Sequence, residues 1–211
     1  LSTSQVAALD QSQVLGLSTA QLHTFSSEQI AALETQDLAS LRPSQLAGFD
    51  TQQINQLTTT QVASLTASQV RGLSTAQIAN LTTDRLTALT LGQTAALNNS
   101  QISALSSQQV GSLTTDQVRA LPPSSVAAVS TQSLAGLDAS RMGALTATQL
   151  PRISLPQLAA LSPEQISWID TQSISSLIAS QIIGLTTSQV RSLTSSEVTQ
   201  LSANQIWSMG T

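Results

Sequence analysis

Leu57-Thr58-Thr59-Thr60-Gln61-Val62-Ala63-Ser64, followed at once by Leu65-Thr66-Ala67-Ser68-Gln69-Val70-Arg71-Gly72, sets the frame for the chain. The pattern is Leu, Ser or Thr, two variable residues, Gln, Val or Ile, one variable residue and a small one. Its leading apolar residue returns every eight positions from Leu1 to Met209, through Phe25, Phe49, Leu121 and Leu201, without insertion or deletion. The 211 residues therefore hold 26 successive octads. An unbroken short register of this kind marks a solenoid or a fibre, in which each unit contacts mainly its neighbours.

With octad positions numbered from the Leu, position 2 is Ser, Thr, Asp or Asn in 22 of 26 units, and position 5 is Gln in 19. Ser/Thr-x-x-Gln is a capping box: the hydroxyl accepts from the N3 amide, and the Gln reaches back to the N-cap amide. The apolar residues at positions 1 and 6 then fall at N′ and N4, where they form a hydrophobic staple. Other residues obey the same frame. Pro43, Pro123 and Pro163 occupy position 3, the first helical slot, where proline is best tolerated. All eleven acidic residues fall at positions 2, 4 or 5, near the positive end of a helix. Arg71, Arg119, Arg152, Arg191 and His23 sit at positions 7 or 8, near the carbonyl end.

One continuous helix is excluded, because an eight-residue period would rotate the Leu stripe by roughly 80° per repeat. A β-solenoid needs apolar residues at period two, whereas positions 1 and 6 are separated by alternating gaps of five and three. The expected fold is therefore all-α: a solenoid of capped helices about five or six residues long, one per octad, each followed by a corner that caps the next. Positions 1 and 6 are expected to fill the interior, with 3, 4 and 7 facing solvent. A small residue at position 8 serves either close backbone approach or the corner geometry. Two octads per coil is the preferred closure and three the alternative.

Residues 1–211 read as one continuous octad array, irregular around 122–156. There Ser125, Ser133 and Arg141 replace Gln, and Pro151 stands inside a short helix, where proline removes a hydrogen bond and clashes with the preceding turn. A bend or loosened coil is expected in this stretch. Leu91-Gly92 with Thr94 at position 6 is a second defect. Leu15, Leu91, Leu155, Ile178 and Ile183 place apolar side chains at normally polar positions, as a seam against a neighbouring chain would. Neither end of the array carries a polar terminal repeat, so the expectation is a segment of a longer array or ends covered by other copies.

Charged residues are 9% and aromatics 2%, yet 40% of the chain is apolar and regularly spaced, which argues for a folded rather than a disordered chain. A net charge of −4, with seven scattered Arg and no Lys, excludes a nucleic-acid groove. No apolar run is long enough to insert in a membrane. The absence of Cys removes disulfides and Cys-based metal sites. His23, the sole histidine, has no periodic carboxylate partner, so no Ser-His-Asp triad can be assembled. The acidic residues sit singly at cap positions, unlike clustered calcium ligands. Trp168 and Trp207 are read as packing residues rather than sugar platforms, and the Asn80-Leu81-Thr82 and Asn98-Asn99-Ser100 triplets as chance matches to a glycosylation signal. The position-2 hydroxyls are committed to caps and positions 3 and 4 are mixed, which disfavours an ice-binding lattice. No catalytic, cofactor-binding or metal-binding residues are expected, no cofactor, and no enzymatic activity.

In units such as Leu57–Ser64 and Leu73–Asn80, the chain resembles the octapeptide arrays of very large exported bacterial proteins of surface or adhesin-like type. The resemblance spans essentially the whole chain. It implies an extended fibre, stalk or filament, extracellular or at the cell surface, whose main partner is itself, end to end or laterally. An extended scaffold for a protein or glycan ligand is the alternative. Leu161-Ser162-Pro163-Glu164-Gln165-Ile166 is similar to the opening of transcription-activator-like effector repeats. Those repeats are far longer and carry a basic stripe absent here, so shared helix-start chemistry accounts for the likeness.

Overall fold

In octad 57–64 the backbone of Thr58 is extended, and its hydroxyl accepts from the Gln61 amide at 3.1 Å. Gln61 Oε1 in turn accepts from the Thr58 amide at 2.8 Å. The helix Thr59–Ser64 follows, and the Leu65 amide closes it onto the Val62 carbonyl at 3.2 Å. Leu57 and Val62, on either side of the cap, are both buried. The staple and box expected from the spacing are thus formed together.

This is a computed structural model that describes residues 1–209. Within it every octad but one forms an α-helix of four to six residues starting at position 3, and no strand occurs among the described residues. The exception is octad 145–152, where a turn leads into the 3-10 helix Leu150–Arg152. Pro151 lies inside that segment, so the helix is lost where an interior proline removes a donor. The core does not follow: Met142, Leu145, Leu150 and Ile153 stay buried. Octads 121–128 and 137–144 keep only four-residue helices, Pro123–Val126 and Ala139–Met142.

The chain divides into two compact units, Leu1–Leu105 and Ser106–Thr211. In each, a helix packs on the helix three octads further along. In the first unit Thr3–Ala7 meets Ser27–Ala32, Gln11–Gly16 meets Thr35–Ser40, and Pro43–Ala47 meets Ala67–Gly72. In the second, Ser107–Ser112 meets Thr131–Ala135, Pro163–Ser167 meets Thr187–Ser192, and Ala179–Ile183 meets Ala203–Ser208. A coil therefore contains three octads. The expectation of two is corrected.

The corner explains the difference. Reversing direction between antiparallel helices in a short link commonly uses a residue in the left-handed region. No described residue has positive φ. Position 1 is instead extended, as in Leu57 (φ −57°, ψ 132°), and so is position 2, as in Thr58 (φ −66°, ψ 160°). Two extended residues open the corner, and three short helices are needed to close a circuit. The small residue at position 8 serves packing, not this corner. A Cβ on Gly48 would lie 3.0 Å from the Thr19 side chain one coil earlier, and one on Gly72 would lie 3.1 Å from Pro43 Cβ.

Candidate functional site: the glutamine seam and the outer surface

Position 5 is where the structure goes beyond the expected layout. Gln45, Gln53, Gln61, Gln69, Gln77 and their later equivalents are buried, although only positions 1 and 6 were assigned to the interior. Each amide side chain has two ends in use. Gln69 Oε1 accepts from the Thr66 amide at 2.7 Å, while Nε2 donates to the carbonyls of Leu38 (2.8 Å) and Leu41 (2.7 Å). The same offsets recur in the second unit, where Gln149 Nε2 reaches Val118 and Leu121, and Gln181 Nε2 reaches Leu150 and Ile153. The acceptors are the position-6 and position-1 carbonyls of the corner one coil earlier. The position-1 carbonyl lies outside every helix, so the following coil supplies its donor. Left unpaired in the interior, such a group costs about 1–3 kcal/mol.

The capping half of this arrangement outlasts the hydroxyl. Arg42 and Ile178 stand at position 2 and offer no cap acceptor, yet their amides still donate to Gln45 and Gln181 Oε1 at 2.9 Å. Where Gln is absent, the replacements divide by chemistry. Arg85 Nε donates to the Leu57 carbonyl at 2.9 Å, and Arg141 Nε to the Leu113 carbonyl at 2.6 Å. Both take over the inter-coil bond. Arg85 cannot accept, and Asn55 Oδ1 supplies the missing acceptor for the Thr82 amide at 3.1 Å. Ser133 does not reach a corner carbonyl in this way and instead bonds the hydroxyls of Ser130 in its own octad and of Ser107 in the coil before. Asp37 and Glu197 are buried carboxyls with no amide to donate. Burial, then the charges of Glu34 and Asp10, push the Asp37 carboxyl above its usual range.

A sequence signal for the seam existed. A capping box is satisfied by Glu as well as Gln, yet position 5 holds nineteen Gln and a single Glu. Only the amide carries a donor as well as an acceptor.

The outer surface holds the remaining candidates. His23 is exposed, and its backbone carbonyl accepts from Gln53 Nε2. Trp168 is partly exposed, and Trp207 is 76% exposed. Asn80 Nδ2 donates to the Ala76 carbonyl, and Asn98 Oδ1 caps its helix at the Gln101 amide. Among the seam candidates, Leu91, Leu155, Ile178 and Ile183 are exposed and Leu15 is half-buried. Leu155 belongs to an octad three before that of Ile178 and Ile183, so the coil brings these three onto one helix row. Asp10 and Glu28 are held below the usual carboxylate range, chiefly by the hydroxyls of Ser12 and Ser26. Among the described residues no group of three or more His, Asp or Glu is gathered as a metal site, and no helix is long and apolar enough to cross a membrane.

The sequence profile of a family described as the ALTTAQ repeat matches residues 30–67 and 91–122. No curated protein matches the chain. On this chain's frame those six letters correspond to position 8 of one octad through position 5 of the next, ending on the seam glutamine. With coils of three octads stacked through that residue in each unit, the chain is a structural repeat protein, similar to the ALTTAQ repeat over the two matched stretches.

Proposed function

We propose that the protein forms an extended fibre, stalk or filament, exported to the surface of a bacterial cell, and has no enzymatic activity. The observation that carries this reading is the use of side chains: the recurring polar residue of the repeat is spent on joining one coil to the next, and little reactive chemistry remains outside. A coil of three octads leaves position-1 carbonyls that only a further coil satisfies, which favours long arrays over single units. The cell-surface placement follows from the resemblance to exported octapeptide arrays. Electron microscopy or small-angle scattering of the purified chain is expected to give an elongated particle. A compact sphere would exclude the fibre.

A binding scaffold is the second reading, favoured by the exposed Leu155, Ile178 and Ile183 on one helix row. Exposed apolar side chains brought together in this way mark interaction surfaces. A glycan array and a cell-adhesion assay separate the readings, because a passive stalk binds neither. An ice-binding array ranks below both, since the position-2 hydroxyls are engaged in caps.

A further inference from the structure

Position 5 carries a carboxylate in two octads, at Asp37 and at Glu197, and the seam sets both against backbone oxygen. The neighbouring glutamines fix the register. Gln29 and Gln45 Nε2 donate to the Leu1 and Leu17 carbonyls, each 28 residues earlier, so Asp37 between them stands over the Leu9 carbonyl. In the second unit Gln189 and Gln205 Nε2 donate to the Leu161 and Leu177 carbonyls, which sets Glu197 over the Ile169 carbonyl. Among the described residues no donor reaches the Leu9 or the Ile169 carbonyl. Asp37 is 5% and Glu197 1% exposed. No hydrogen bond reaches the Asp37 carboxyl, since Ser40 bonds only its backbone carbonyl, and Glu197 spends Oε2 alone, on the Thr194 amide. A second pattern coincides with the first. Of the four Asp at position 2, Asp10 and Asp170 adjoin the corners that Asp37 and Glu197 face, while Asp50 and Asp138 lie under Gln77 and Gln165. Asp10 caps its helix with Oδ1 and Asp170 with Oδ2, so each keeps its other oxygen uncommitted.

At both places acceptor meets acceptor, and a buried charge must be paired or coordinate a metal. Burial, then the negative charges of Glu34 and Asp10, raise the Asp37 carboxyl, and no cationic side chain offsets them. We propose that each pair, Asp10 with Asp37 and Asp170 with Glu197, holds a calcium ion between successive coils, with the Leu9 or Ile169 carbonyl as a further ligand. The donor set is all oxygen and doubly negative, which suits a hard divalent cation. Calcium takes about six to eight such ligands in flexible geometry, whereas magnesium demands a near-ideal octahedron. Two carboxylates and a carbonyl fall outside any cluster of three acidic side chains, and water completes the shell. Asp10 and Asp170 are exposed, so the ion enters from solvent. There it takes the part that Gln Nε2 plays elsewhere: it gives the corner carbonyl a positive partner and ties one coil to the next.

Equilibrium dialysis of the chelator-stripped 211-residue chain against calcium chloride is the test, with variants that restore the usual residue of the repeat. The wild-type chain is expected to bind two calcium ions, Asp37→Gln one, Glu197→Gln one and the double variant none, with dissociation constants of about 10⁻⁴–10⁻³ M. Thermal unfolding should follow the same order. About 10 mM calcium is expected to raise the wild-type midpoint by a few degrees and to leave that of the double variant unmoved. Gln is the common residue at position 5, so these variants keep the fold, which circular dichroism verifies. Asp50→Asn, at a capping Asp that lies under Gln77, is expected to keep both sites. A wild-type chain that binds no calcium, a double variant that binds as the wild type does, or an Asp50→Asn chain that loses a site would each overturn the proposal. So would a midpoint that moves with pH but not with calcium, since a proton then fills the gap.

Discussion

Octads 57–80 and 121–152 follow the same period and meet it differently. In the first stretch Gln61, Gln69 and Gln77 each cap a helix and bond the coil before, and the helices run five or six residues. In the second, two helices shrink to four residues and one octad becomes a turn with a 3-10 segment, while Ser125, Ser133 and Arg141 stand in for Gln. The interior does not register the change. Val126, Val129, Leu134 and Leu137 are as buried as Leu57, Val62, Leu65 and Val70. What the array holds constant is the spacing of positions 1 and 6 and the corner between them. The helix itself is the tolerant part.

Core truncation tests this comparison most severely. Leu57→Ala and Leu137→Ala are each expected to cost about 2–5 kcal/mol in urea unfolding, with similar values at the two sites. A much smaller cost at Leu137 would mean that the irregular stretch is loosely packed after all. The seam should separate what the core equates. Gln69→Ala removes the donor to the Leu38 and Leu41 carbonyls and is expected to cost about 1–3 kcal/mol. Ser173→Ala, at a position 5 with no amide, should cost well under about 1 kcal/mol. Equal losses would deny the seam its energetic role.

Asp37 offers a gain instead of a loss. Its carboxyl is raised above the ordinary value, so its favourable contribution is present at low pH and is lost as pH rises from that value through the raised one. Asp37→Gln is expected to stabilise the chain by about 1 kcal/mol at neutral pH, and to remove this part of the pH dependence. Thermal unfolding of both proteins across the acidic range measures it; identical profiles would contradict the assignment. The smallest effect belongs to Pro151→Ala. It should lengthen the helical content of octad 145–152 at a gain of at most about 1 kcal/mol, read by circular dichroism and unfolding midpoint. If that change destabilises, the 3-10 segment is a requirement of the corner, not a concession to proline.

Much of the fold was legible because capping is local chemistry. Thr58, Gln61 and Val62 announce a helix start whatever surrounds them, and the acids, prolines and arginines agree on the frame. The number of octads per coil was not legible, because it is set by the angle between helices. That angle arises from two extended residues, such as Leu57 and Thr58, whose dihedrals a period of eight does not encode. The burial of Gln69 was hidden for another reason: a local bond to Thr66 already accounted for its presence, and the partners Leu38 and Leu41 lie about thirty residues away. Arg141 looked like an interruption for the same cause. Like Arg85, it preserves a bond whose acceptor is remote in sequence.

The glutamine amide always looks toward the N-terminus, and this gives the array an order of assembly. Each newly made stretch of chain carries donors for acceptors that the stretch before it has already put in place. Winding can then proceed vectorially, in step with synthesis. Each fresh turn templates on a finished one, with no need to wait for a distant part of the polypeptide.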